Sequence, residues 1–219
     1  MANILCIETA TTNCSVALSV NGSVIALKED YSKSYSHAEL LHFYIDVVLK
    51  DAQLDKGQLD AIAVSMGPGS YTGLRIGVSA AKGLCFALDI PLLAIATLES
   101  LATKVEDPLG VIVPMLDARR MEVYSAVFSS EMQQKRDTQA QILDEASFSE
   151  YLEKGQVTFI GNGADKFESI CNHVNASFRK EELPSAAQMA PLAEFKYKKN
   201  DTVDVAYFEP YYLKDFITG

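Results

Sequence analysis

The sequence predicts an α/β protein built as two lobes, on three observations. Segments up to about Val105 read, in order, as three strands and then alternating helix and strand. The pattern breaks at Glu106-Asp107-Pro108-Leu109-Gly110, and a second run of strand, turn and strand opens at Val111. The two runs echo each other, because each first strand empties into an acidic turn: Ile7-Glu8-Thr9-Ala10 and Met115-Leu116-Asp117-Ala118. A chain of 219 residues is long enough for two small lobes. Their expected limits are 1–105 and 106–219.

In the first run, Asn3 to Glu8 reads as a buried strand. Cys14 to Val20 and Ser23 to Glu29 follow, joined by Asn21-Gly22, a dipeptide that tolerates the left-handed backbone of a tight hairpin. A polar stretch, Asp30 to Ser36, leads into a helix from His37 to Ala52. Strand Leu59 to Met66 empties into Gly67-Pro68-Gly69, and a glycine-rich helix runs from Thr72 to Leu88 with Ser70 or Thr72 as its cap. Ile90 to Ile95 is a short strand opened by Pro91, and Leu98 to Val105 a short helix capped by Thr97.

The second run begins with strands Val111 to Leu116 and Glu122 to Phe128, linked through Asp117-Ala118-Arg119-Arg120. A strand near Thr138 to Leu143 and a helix from Ala146 to Lys154 follow. Strand Val157 to Ile160 ends in Gly161-Asn162-Gly163, before a helix from Asp165 to His173. Pro184 to Lys199 is helical, bent or split at Pro191, and the aromatic tail Tyr207 to Leu213 is extended. A doubled three-stranded meander with helices is the pattern of the two-lobed actin-like (ASKHA, RNase H-like) fold.

Composition excludes several functions. The formal charge of −10 repels free nucleic acid, whose binding rests on Lys and Arg neutralising phosphates. The short run Lys196-Tyr197-Lys198-Lys199 reads as the solvated face of a late helix. Cys6, Cys14, Cys85 and Cys171 form no CxxC pair, and the small apolar neighbours of Cys6 and Cys85 suit buried, reduced thiols. Glu8 interrupts the first apolar run, so no signal peptide or membrane span is expected and the protein is placed in the cytoplasm.

The candidate sites carry two readings each. Gly67-Pro68-Gly69 lacks the Gly-Lys-Ser/Thr triplet of a phosphate loop, so it is a special turn before a helix. Glu8 and Asp117 form either a carboxylate pair facing a cleft or strand-end carboxylates satisfied by their own backbone. The Gly161-Asn162-Gly163-Ala164 turn could meet a phosphate or could be a plain turn. Arg119 and Arg120 are bulky for an ATP site, though they could bind phosphate. His37 and His42 are five apart and share no helical face, so no metal site is expected.

Two helices carry more apolar surface than one sheet requires. His37 to Lys50 has one stripe of Leu41, Tyr44, Ile45 and Val48 and an adjacent one of Leu40, Phe43 and Val47. In the next helix Gly73, Gly77 and Ala80 or Ala81 share a side, and each mid-helix glycine costs about 1 kcal/mol against alanine. Either a close approach within the lobe or a second chain would offset that cost.

Specific strings then add a resemblance. They are Ile7-Glu8-Thr9-Ala10 with Cys14-Ser15-Val16-Ala17-Leu18, Ser36-His37, and Gly67-Pro68-Gly69-Ser70-Tyr71-Thr72-Gly73-Leu74-Arg75-Ile76-Gly77. Thr97-Leu98-Glu99-Ser100-Leu101, Asp117-Ala118-Arg119-Arg120-Met121-Glu122-Val123-Tyr124, Gly161-Asn162-Gly163-Ala164 and Pro210-Tyr211-Tyr212-Leu213 continue the match. Together they resemble the TsaB (YeaZ) family of the bacterial tRNA threonylcarbamoyladenosine machinery. The match is dense from Asn3 to Tyr124 and sparse from Ser125 to Ala206.

The resemblance implies an actin-like fold and a non-catalytic, activating subunit. It implies work with the paralogous transferase TsaD and the ATPase TsaE, which place threonylcarbamoyl on N6 of the adenosine beside the anticodon, in tRNAs reading codons that begin with adenine. It implies a homodimer when alone, tRNA held only through the complex, and no cofactor of its own beyond a nucleotide at a complex interface. Glu8, Thr9, Asp117, Gly161 and Gly163 would then be a vestigial nucleotide cleft. Leu41, Tyr44, Ile45, Val48, Tyr71, Gly73, Arg75, Gly77 and Ala80 would face the partner. Where TsaD carries paired histidines this chain reads Thr97-Leu98-Glu99-Ser100-Leu101-Ala102, and its first acidic turn has Glu8 where relatives commonly have Asp. The alternatives are an active actin-like ATPase or kinase, a metal-dependent glycopeptidase, and a self-associating protein without a TsaD partner.

Overall fold

A computed structural model describes residues 1–31 and 37–214. Most of the polar lead-in to the first helix, and Ser36 of the quoted Ser36-His37 pair, lie outside the described residues. Two units emerge, one of residues 1–100 and 184–219 and one of residues 101–183.

Unit one is built on a five-stranded sheet. Its strands are β1 (Asn3–Glu8), β2 (Cys14–Val20), β3 (Ser23–Asp30), β4 (Ala61–Gly67) and β5 (Leu92–Ala96), in the order β3-β2-β1-β4-β5. β1, β2 and β3 pair antiparallel, and β2 turns into β3 through Asn21-Gly22, both at positive φ as the dipeptide predicts. β4 and β5 add in parallel, since a helix returns the chain before each. The strands buried on both faces read as near-continuous apolar runs.

Helices α1 (His37–Asp51) and α2 (Tyr71–Leu88) cover one face of this sheet. Leu41, Ile45 and Val48 of α1, and Val78, Ala81 and Cys85 of α2, close over Leu5, Ile7, Val16, Leu18, Ile62 and Val64. The last long helix, α6 (Ala186–Lys198), covers the opposite face with Ala186, Met189, Ala190 and Ala193 on Ile4, Cys6, Ala17, Ala63 and Leu93. Small residues let α6 lie close to the strands. Pro191 sits inside α6 without ending it.

Unit two repeats the topology. Strands β6 (Val111–Asp117), β7 (Glu122–Phe128), β8 (Gln134–Ile142), β9 (Val157–Ile160) and β10 (Ala176–Arg179) lie in the order β10-β9-β6-β7-β8. Again three antiparallel strands are extended by two parallel ones. Its core is aromatic: Phe148, Phe159 and Phe167 meet edge to face at 4.8–5.4 Å, and Phe178 stacks on Phe159 at 5.2 Å. The helices here are short, α4 (Ser149–Leu152) and α5 (Ala164–Glu168), as is α3 (Thr97–Ala102) in the chain before β6.

The domain division departs from the expected break between 105 and 106. The segment from Pro184 onward packs with the first unit, because the apolar side of α6 fits the uncovered face of the first sheet. β8 is longer than expected, β10 was not foreseen, and the hydroxyl of Thr97 accepts from Gly67 N–H at 3.2 Å.

Candidate functional site

The turn after β1 is enclosed by its own chain. Glu8 and Thr9 are 0% exposed. Glu8 Oε1 accepts from Ala10 N–H at 2.6 Å and from the Ser65 hydroxyl at 2.8 Å, so β1 and β4 are tied at their ends. Glu8 Oε2 and Thr9 Oγ1 are buried without a hydrogen-bond partner among the described residues. Burial pushes the Glu8 carboxyl up to about 7, and the hydrogen bonds from Ala10, Ser65 and Thr9 only partly oppose it. Behind the turn, His37 Nε2–H donates to Thr11 O at 2.7 Å. Burial lowers the pKa of this ring, which opens α1, and the hydrogen bond to Thr11 only partly opposes it.

The glycine-rich helix rests on this turn. Ser70 caps α2 by accepting from Gly73 N–H at 3.2 Å, and Ser70 N–H donates to Ala10 O at 2.6 Å. A Cβ at Gly73 would overlap Thr9 O, and one at Gly77 would overlap Thr9 Oγ1. The glycines therefore serve a close approach inside the unit.

The matching turn of unit two is satisfied in a different way. Asp117 Oδ1 accepts from Arg119 N–H at 2.5 Å and pairs with Lys166 Nζ at 2.8 Å. Lys166 also donates to Glu122 O at 2.9 Å. Asn162 Oδ1 takes Asp117 N–H at 3.0 Å, so the Gly161-Asn162-Gly163 turn is buttoned to β6. The N–H groups of Gly161, Gly163 and Ala164 go to Arg179 O, Met115 O and Gly161 O. A Cβ at Gly161 or Gly163 would meet Met115, Leu101, Leu116 or Val123. Asp117, Gly161 and Gly163 are thus brought together, with donors and carboxylate committed inside the unit. Within its own unit, the Glu8 carboxyl is sealed; within the other, Asp117 is ion-paired and the N–H groups of Gly161 and Gly163 are used.

The expected partner residues divide into two sets. Leu41, Ile45, Val48, Gly73 and Gly77 are corrected: all five are buried, the first three in the core and the glycines on Thr9. Tyr44 and Ala80 are half-buried against the same core. Of the two apolar stripes on α1, the sheet takes the one with Leu41. Phe43 of the other stripe is 61% exposed, and Phe86 on α2 is 86% exposed. Neither was singled out for a partner from the sequence, although Phe43 was in the second stripe.

Tyr71 and Arg75 meet the C-terminal tail. Arg75 lies 4.0 Å over the Tyr71 ring and donates through Nε to Tyr212 Oη at 3.2 Å. The Tyr71 and Tyr212 rings are 4.9 Å apart. The tail is strapped to unit one by Val203 N–H on Leu92 O, by Tyr211 N–H on Met66 O, and by Lys82 donating to Ala206 O and Phe208 O. Among the described residues no group of three or more His, Cys, Asp and Glu side chains could hold a metal ion. No described helix is long and apolar enough to cross a membrane.

Known proteins share this sequence pattern and fold. The family model described as TsaD, tRNA N6-adenosine threonylcarbamoyltransferase, matches residues 32–215. The tRNA threonylcarbamoyladenosine biosynthesis protein TsaB of Bacillus subtilis is 32% identical, over 96% of this chain and 93% of its own length. The chain belongs to the TsaB family. The TsaB protein of Haemophilus influenzae is 28% identical, over 98% of this chain and 94% of its own. The solved structure of YeaZ from Pseudomonas aeruginosa, 27% identical, superposes with a TM-score of 0.82 over 97% of this chain and all of that one. The activator of 2-hydroxyisocaproyl-CoA dehydratase from Clostridium difficile, solved with bound ADPNP, is 9% identical with a TM-score of 0.52 over 91% of this chain and 96% of its own. That likeness extends to the fold alone, which is the two-lobed actin-like fold expected of the TsaB family.

Proposed function

We propose that this chain is a non-catalytic subunit of a tRNA threonylcarbamoyladenosine complex, covered by a paralogous TsaD transferase across the outer faces of α1 and α2. TsaE would supply ATP hydrolysis to the same assembly, and tRNA would be held through the complex. Without the transferase the same faces would pair two copies of this chain.

One observation carries this reading. Both acidic turns hold their carboxyl groups on their own chain, Glu8 sealed in its turn with Oε1 on Ala10 and Ser65, and Asp117 on Lys166 and Arg119. Chemistry on a nucleotide would need those groups to meet a cation or a phosphate. The TsaB relatives and the TsaD family model support the pathway. The exposed rings of Phe43 and Phe86, on helices whose other faces form the core, support a covered surface.

Reconstitution tests it. Modified adenosine is measured in tRNA with TsaD, TsaE and the threonylcarbamoyl adenylate, with and without this chain, and ATP turnover is measured on the chain alone. The expected result is product only when the chain is present and no turnover by the chain. Unaided ATP turnover would favour the kinase or ATPase alternative.

A further inference from the structure

The turn between β6 and β7 carries two adjacent arginines in left-handed backbone, Arg119 at φ 68° and Arg120 at φ 48°. Residues with a Cβ rarely adopt this conformation. The same chain meets a comparable demand at its first hairpin with Asn21-Gly22, the residues best suited to it. Other residues with a Cβ share that backbone in this chain, Gln53, Met132, Phe148 and Glu181 among them, and what sets the second turn apart is that two adjacent positions carry long cationic side chains.

Their surroundings leave both cations available. Arg119 and Arg120 are exposed. Among the described residues neither guanidinium enters a hydrogen bond or an ion pair. The carboxylate of the same turn, Asp117, is taken by Lys166 at 2.8 Å. The main chain is pinned by Ala118 N–H on Glu122 O and Glu122 N–H on Arg119 O, each at 3.1 Å, and by Lys166 on Glu122 O. A fixed tip therefore presents two unpaired guanidiniums on a chain of net charge −10.

We propose that Arg119 and Arg120 are a phosphate contact for the RNA backbone. This rests on the reading above that the chain works within a tRNA-modifying complex. Two arginines cannot hold RNA against a net negative surface, but within an assembly whose other chains also grip the RNA they add two neutralised phosphates. Guanidiniums suit this contact because each presents a fork of donors to phosphate oxygens. The contact positions the RNA and reads no sequence.

The test uses the reconstituted complex with this chain as wild type, as Arg119→Gln/Arg120→Gln and as Arg119→Lys/Arg120→Lys. The affinity for unmodified tRNA is measured across a salt series, and assembly is followed by sedimentation. Losing two phosphate contacts should lower the slope of log K against log salt by about 1.4 to 1.8. The Gln pair is expected to show that loss with assembly intact, and the Lys pair to keep most of the wild-type slope. An unchanged slope in the Gln pair would overturn the inference. Loss of assembly would overturn it too, by assigning the arginines to a partner's carboxylates. A change in nucleotide retention with the tRNA slope unmoved would assign them to a free nucleotide instead. Product formed without this chain would defeat the functional reading itself, which the salt series does not address.

Discussion

Gly77 approaches Thr9 so closely that a methyl group added to the glycine would overlap the threonine hydroxyl. The contact joins the middle of α2 to the turn after β1, and Gly73 repeats it one turn earlier on Thr9 O. The two glycines lower the intrinsic stability of α2, and in return the helix lies directly on the enclosed Glu8-Thr9 turn.

Replacing Gly77 by alanine tests that relationship. Helix propensity alone would favour alanine by about 1 kcal/mol. Overlap with Thr9 should reverse the sign, giving a net loss of about 1–3 kcal/mol. Gly83, on the same helix with nothing within 4 Å of its Cβ position, should instead gain stability when changed to alanine. Denaturant unfolding of both variants reads the two signs.

Glu8 makes stability depend on pH. Its folded pKa is raised from 4.5 to about 7, so between those values the folded chain keeps a proton that the unfolded chain releases. Stability is full below pH 4.5, falls as pH rises towards 7, and is flat beyond as far as this group is concerned. The span corresponds to about 3 kcal/mol, as an order of magnitude. Glu8→Gln should remove that fall, which unfolding curves at pH 5, 6 and 7.5 would reveal.

Val48 and Phe43 lie on one helix and should answer differently. Val48 is 0% exposed, so Val48→Asp buries an unpaired charge and should cost on the order of 4 kcal/mol or prevent folding. Phe43 is 61% exposed, so Phe43→Asp should leave the melting curve within about 0.5 kcal/mol of wild type. Thermal unfolding of the isolated chain separates core from surface.

Phe208 anchors the C-terminal strap against the core of unit one. Phe208→Ala should cost roughly 2 kcal/mol, below the range for a fully enclosed ring because the side chain is only half-buried. Amide exchange should quicken at Val203 and Tyr211, whose N–H groups bond to Leu92 and Met66.

Much of the fold was legible because its signals are local. Asn21-Gly22 marks a hairpin, Ser70 caps α2, and the repeated strand and acidic turn reveal the doubling. Long-range partners were not legible. The spacing of Gly73 and Gly77 predicts a close approach, yet nothing near them names Thr9 as its target. α1 offers two adjacent apolar stripes, and only the sheet decides that Leu41, Ile45 and Val48 are core. α6 follows unit two in sequence but packs on unit one, since covering a sheet's second face depends on surface fit. β10 has four residues, too few for a periodic signal. Glu8 and Asp117 are recognisable in the sequence as turn residues, while the hydrogen bond from Ser65 to Glu8 and the ion pair of Asp117 with Lys166 appear only in three dimensions.

The most direct measurement compares Phe43→Asp and Phe86→Asp with wild type in the reconstituted reaction, following complex size by sedimentation and modified adenosine in tRNA together. The account predicts folded variants in which association and product fall in parallel. Product lost from a complex that still forms normally would contradict it, because this chain would then be taking part in the chemistry.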